Sequence, residues 1–397
     1  MKAKQICSVI LALLLALSAL TIAPAAAEGW DGKTATAPAG SGTQDDPYLV
    51  SSAANLLWMS QNIKKGDTVT DATAGDGYGP SFAGVWFEQT CDIDLNGKSL
   101  SSIGYYYAND KRMAAFGGTY DGNGYSIFNG SIVSYNTGHA LNVNWGHGLF
   151  GVIYGATIQN VVLEGLAISG HGVTGGIVGR AVASAADEDF NVIENCVVAD
   201  TCAIAVYFPN NTPVTSDDFN QASRVGGIVG MAWGTTVRNC VNGADMSLPG
   251  NFTYGGGIAG TAGYGTVIDF CANTGDITLT IGSNPNAAES AYGGIVGFIT
   301  PYENQAQRGS VLISNCYNTG TFAFVGDTSS NALNRGGILG AANMLHAGQT
   351  YRITNCYNLS DKNTFGDPDY KNYRVGGLVG VYWISANANA SPLYIDN

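Results

Sequence analysis

Paired carboxylates are the first groups in this sequence with chemistry to offer. Asp92 and Asp94, Asp187 with Glu188 and Asp189, and Asp217 with Asp218 each bring acids close together along the chain. Glycosidic bond cleavage needs two such groups ~5 to 9.5 Å apart across the bond, one to donate a proton and one to attack or to activate water. Each set also has a plainer reading. Asp92 and Asp94 flank an apolar Ile93 and should face water, and the other two sets fall in stretches that read as solvated loops. The four histidines, His139, His147, His171 and His346, form no HExxH pattern, and no C-x-x-C pair or Cys/His cluster suggests a metal site. A G-x-S-x-G elbow is absent as well. No catalytic residue, metal or cofactor is assigned on these grounds.

Aromatic side chains suit binding better. Trp233 and Trp383 share one position after a recurring glycine motif, with Tyr264, Tyr302 and Tyr382 nearby. Rings amid Asn, Ser and Thr fit sugars, which present an apolar face and a rim of hydroxyls, so these five residues are the candidate ligand-binding set. The competing expectation is that the same rings cover the outside of the fold or line its bends.

These residues are positioned by repeats. GGIVG occurs at Gly175–Gly179, Gly226–Gly230 and Gly293–Gly297, with GGIAG at Gly256–Gly260, GGILG at Gly336–Gly340, GGLVG at Gly376–Gly380 and a degenerate copy at Gly148–Gly151. Spacings between the final glycines are 28, 51, 30, 37, 43 and 40 residues, the behaviour of a stacked unit with variable loops. Between copies lie Ile193-Glu194-Asn195-Cys196, Val237-Arg238-Asn239-Cys240, Ile268-Asp269-Phe270-Cys271, Ile313-Ser314-Asn315-Cys316 and Ile353-Thr354-Asn355-Cys356, with Ile158-Gln159-Asn160-Val161 as a variant. A β-branched residue followed by a polar one is the period-two mark of a strand with one buried face. A third short run follows a turn signal such as Asn273-Thr274-Gly275. Units this short and glycine-rich leave no room for helical repeats. The expectation is therefore an all-β parallel β-helix solenoid with three short strands per rung, stacked ~4.8 Å apart.

Two files of residues should follow from stacking. Asn160, Asn195, Asn239, Asn315 and Asn355 interrupt strict alternation, which a left-handed Asn bend would resolve, and they are expected to form an inward-facing amide ladder broken at Phe270. Cys196, Cys240, Cys271, Cys316 and Cys356 occupy one small apolar position, filled by Val161 in the first full rung. Buried thiols are the preferred reading; disulfides between rungs stay open, because the stacking distance lies within disulfide range.

Composition limits the partners. Glycine numbers 55, about twice the count that ~7% average usage predicts for this length, without a collagen period. A formal charge of −13 opposes nucleic acid and anionic lipid. Residues 1–27 read as a secretory signal peptide: Lys2 and Lys4, an apolar run, then Ala25-Ala26-Ala27. Residues 28–44 read as a flexible lead-in, 45–147 as an N-terminal cap with irregular first rungs, and 148–397 as regular rungs that stop short in the last unit, as a truncated chain would. Ser51 or Ser52 should cap a short helix carrying Leu56, Leu57, Met59 and Ile63 over the open end of the stack.

The ordered set Pro47-Tyr48-Leu49-Val50-Ser51, Asp92-Ile93-Asp94-Leu95, Phe116-Gly117-Gly118-Thr119-Tyr120-Asp121-Gly122-Asn123-Gly124, Gly148-Leu149-Phe150-Gly151 and repeated Gly-Gly-Ile-Val-Gly with Asn-Cys-Tyr-Asn resembles the GLUG-motif secreted and cell-surface proteins of bacteria. The resemblance implies a right-handed, pectin-lyase-like β-helix outside the cell, and the family offers no catalytic residues to carry over. The expected role is a non-enzymatic surface adhesin or glycan-binding segment, with glycans or cell-surface proteins as partners. A polysaccharide lyase or hydrolase on the same fold and a structural stalk are the alternatives.

Overall fold

A computed structural model describes residues 29–63, 80–107, 112–133, 146–170, 172–183, 190–206, 223–249, 253–281, 290–299, 310–326, 333–344, 349–360, 373–384 and 393–396. The signal-peptide reading of residues 1–27 lies outside them. The chain is mostly β, with one described helix and sheets that are almost wholly parallel.

One repeat shows how the sequence builds the rest. Val229–Trp233 leads into Thr235–Arg238, then Val241–Asn242 and Asp245–Pro249, then Thr253–Gly256, before the next glycine bend leads to Ala259–Gly263. Equivalent strands of successive repeats pair in parallel and form sheets of ten, thirteen, six and seven strands. The ten-stranded sheet carries the β-branched file: Ile158 pairs in register with Ile193, then Val237, Ile268, Ile313 and Ile353, all fully buried. Stacked repeats of this kind are consistent with the expected solenoid.

The expectation of three strands per rung needs correction, since this repeat contains five strand segments in four sheets. Two features divide the runs. The Asn-Gly or Asn-x-Gly turn splits the run after the cysteine into two pieces, both in the thirteen-stranded sheet. The glycine motif is itself a bend between strands of two further sheets, with Ile177, Ile228, Ile258, Ile295 and Ile338 buried at its apex. Gly226 shows why no side chain is tolerated there, because a Cβ would overlap the carbonyls of Val229 and Ile258.

The helix α1 (Ala53–Asn62) starts at Ser52, whose hydroxyl accepts the Asn55 N–H at 3.4 Å. Leu56 and Met59 are fully buried in the same apolar cluster as Phe87, Ile93 and Leu100 of the first rungs. An aromatic group at this end joins Tyr48, Phe82, Phe87, Phe116 and Phe150 through ring contacts of 5.0 to 6.1 Å. No helix among the described residues is long and apolar enough to cross a membrane.

Candidate functional site

The two expected files both exist, and one of them faces the other way. Asn160, Asn195, Asn239, Asn315 and Asn355 all adopt left-handed backbone angles, φ between 51° and 55°. Their amides bond from rung to rung: Asn195 Nδ2 donates to Asn160 Oδ1 at 3.0 Å, Asn239 to Asn195 at 3.2 Å and Asn355 to Asn315 at 2.6 Å. At Phe270 the file breaks, and Asn315 donates instead to Asp269 Oδ1 at 2.8 Å. The inward orientation is corrected, because Asn195, Asn239 and Asn355 are exposed and the other two half-buried. The left-handed residue stands at an outside corner, which lets Ile193 and Cys196 both point inward with two outward residues between them.

The inward amide file belongs to Asn242, Asn273, Asn318 and Asn358, of which the first three stand in the sequence as the turn signals Asn242-Gly243, Asn273-Thr274-Gly275 and Asn318-Thr319-Gly320. Asn242 donates to Asn273, Asn273 to Asn318 and Asn318 to Asn358, at 2.8, 2.8 and 2.9 Å. The second N–H of the first three reaches the carbonyl two residues on, of Ala244, Gly275 and Gly320. Burying an unpaired amide costs roughly 2–7 kcal/mol, so the two bonds per side chain are what permit these groups in the core.

Beside it run Cys196, Cys240, Cys271, Cys316 and Cys356, all buried free thiols, as is Cys202 outside the file. Each of the five points its Sγ–H at the carbonyl two residues back, at 3.0 to 3.3 Å. Burial, reinforced by the flanking thiols of Cys196 and Cys271, pushes the Cys240 thiol well above its ordinary range, which suits a packing group and not a nucleophile.

The acid candidates separate. Asp187, Glu188, Asp189, Asp217 and Asp218 lie outside the described residues. Asp92 accepts the Ser126 N–H at 2.9 Å, and Asp94 accepts the Asn96 N–H at 2.6 Å and Asn129 Nδ2 at 2.7 Å, so both tie neighbouring rungs together and Asp94 also organises a turn. His139, His171 and His346 are outside the described residues, and His147 is buried. Among the described residues no group of three or more His, Cys, Asp or Glu side chains could hold a metal ion.

The expected aromatic platform does not form at the two members whose rings are best placed. Trp233 and Tyr264 are only 4% and 5% exposed; their rings meet at 5.3 Å in a second apolar cluster with Val152, Val173, Val182 and Met231. In Val229–Trp233 one set of side chains feeds the main core, whereas Met231 and Trp233 turn to this cluster. Tyr382 is half-buried against the core, and burial raises its phenol. Tyr302 and the side chain of Trp383 lie outside the described residues.

An open aromatic strip occurs elsewhere. Tyr317 and Tyr357 pair in register on adjacent strands and are 44% and 52% exposed; Phe270, one rung earlier at the ladder break, is 60% exposed, and Leu359 is 70% exposed. Asn315 and Asn355 flank the strip on one side, and the exposed Thr274 and Thr319 on the other. Tyr357 Oη donates to Asn355 Oδ1 at 2.9 Å, which ties the ring to the outer amide file. The signal for this strip was alternation after an inward cysteine, which sends the next residue outward. Val162, Val197, Val241 and Ala272 fill that position in earlier rungs and conceal its use.

Neither a family model nor a curated protein matches the sequence. A solved structure does resemble the fold: the crystal structure titled "putative immunoglobulin A1 protease" from Bacteroides ovatus. It aligns over 90% of this chain and 86% of its own, with a TM-score of 0.52 and 19% identity. At that identity the likeness is one of fold, and it agrees with the mostly parallel β architecture described above.

Proposed function

We propose that this chain is an extracellular, right-handed parallel β-helix of the GLUG type that binds carbohydrate without transforming it, as a segment of a bacterial surface protein. The observation that carries the binding role is the register pair Tyr317–Tyr357, exposed on the outside of the stack beside an amide file. Exposed rings amid neutral hydrogen-bonding groups offer the apolar contact and the donors and acceptors that a sugar needs. The acidic net charge is compatible with an uncharged ligand and opposes polyanions. The signal-peptide pattern and the resemblance of the repeats support the location.

A glycan array, followed by calorimetry on the best ligand, tests this reading. Binding should be retained by a Trp233→Phe variant and lost by Tyr317→Ala combined with Tyr357→Ala, with unchanged circular dichroism. Release of reducing or unsaturated sugar ends from a polysaccharide panel would replace the proposal with an enzymatic function.

A further inference from the structure

Resting on the carbohydrate reading, we infer that the strip takes a neutral polysaccharide in an extended, equatorially linked form, laid along the stacking direction with one sugar per rung. Tyr317 and Tyr357 occupy partnered positions on adjacent parallel strands, which lie ~4.8 Å apart. A β-1,4-linked pyranose advances along its chain by about one such strand spacing per ring, so successive sugars meet successive rungs in step. An α-1,4-linked chain coils and loses that step within two or three rings.

The rings are free to be used in this way. Neither Tyr317, Tyr357 nor Phe270 enters a ring contact among the described residues, in contrast to Tyr254 and Phe298, which stack on each other at 4.6 Å. The strip is also uncharged. The outward positions next to its two tyrosines are Asn315 and Thr319, then Thr354, Asn355 and Leu359, with the exposed Arg352 farther along the second rung and paired with Asp396. Asp269 stands at the border, with one oxygen engaged by the Ser314 hydroxyl and the Asn315 amide. Asn315 donates to Asp269 and accepts from Asn355, and Asn355 accepts in turn from Tyr357 Oη, which leaves each amide one donor and one acceptor position for a sugar hydroxyl. Phe270 stands in the neighbouring file, two positions earlier in its rung, and extends the strip to three rungs.

Calorimetry with cello- and chito-oligosaccharides of two to six sugars, set against maltohexaose and polygalacturonate, reads the claim directly. Affinity for one β-linked series should climb to three or four sugars and then level off, with maltohexaose at least tenfold weaker and polygalacturonate not bound. Tyr317→Ala and Tyr357→Ala should each weaken the best ligand tenfold or more, while Tyr317→Trp retains it. Preference for maltohexaose or polygalacturonate, or an affinity independent of length, overturns the inference and leaves carbohydrate binding standing. Failure of every glycan in the panel removes both. Undiminished β-glycan binding by a natively folded Tyr317→Ala, Tyr357→Ala double variant overturns the assignment to this strip.

Discussion

Asn318 donates an amide hydrogen to Asn358 Oδ1 at 2.9 Å and its other amide hydrogen to the carbonyl of Gly320 at 3.0 Å, so a fully buried polar side chain has both donors satisfied. The same arrangement at Asn242 and Asn273 makes the inner file a chain of mutual dependence: each side chain removed orphans a group on its neighbour.

Asn318→Ala should therefore lower stability by roughly 2–4 kcal/mol, the loss of bonds plus an unsatisfied Asn273 donor. Asn239→Gly, in the outer file, should change it by less than about 1 kcal/mol, because glycine accepts the left-handed angle and water replaces the amide. Paired urea titrations measure both, and equal losses would show that the two files are energetically alike.

Glycine positions offer a matched comparison within one motif. A Cβ on Gly257 would overlap the Asn273 side chain and the Gly294 carbonyl, whereas one on Gly377 meets nothing within 4 Å. Gly257→Ala should abolish soluble folded protein or cost more than about 3 kcal/mol by overpacking, and Gly377→Ala should be silent in thermal melts.

Phe270 holds a left-handed φ of 51° with its ring exposed, at the point where asparagine stands in the rungs on either side. Phe270→Asn should raise stability by about 0.5–1.5 kcal/mol, through a better left-handed residue and a restored amide bond. The same change should weaken glycan binding. A rise in melting temperature with reduced affinity is the expected pair of results from calorimetry and ligand titration.

Alkaline pH should unfold the protein cooperatively. Burial raises the thiols of Cys240 and Cys202 from an ordinary value near 9, and the phenols of Tyr120 and Tyr292 from near 10. The folded state keeps these groups protonated while the unfolded chain releases protons, so stability is full below about pH 9 and falls above it. The slope is about 1.4 kcal/mol per pH unit for each such group. Cys240→Val should flatten the slope between pH 9 and 11. Below pH 9 a thiol reagent should label Cys91, which is partly exposed, and reach the six buried thiols only after denaturant is added.

Much of this fold could be read from the sequence because it repeats. The β-branched residue before each Asn, the small apolar Cys position and the left-handed corner are the same local problem solved again, and one copy explains the others. Orientation was harder. Asn195 and Asn242 are both asparagines beside a turn, and only the register between rungs reveals that the first faces water and the second the core. Trp233 failed as a platform for a similar reason: its strand has a covered face on both sides, so period-two logic no longer separates inside from outside. Tyr317 and Tyr357 were hidden by the valines and alanine that hold their place in earlier rungs.

The in-register pairing of Ile158, Ile193, Val237, Ile268, Ile313 and Ile353 also bears on how the chain acquires its shape. Most partners are a few dozen residues apart, so closing each turn costs little more chain entropy than closing the last. A finished coil presents a ready edge to the segment that follows it. Growth can thus proceed by accretion from the helix-covered end, each completed turn serving as the template for the next.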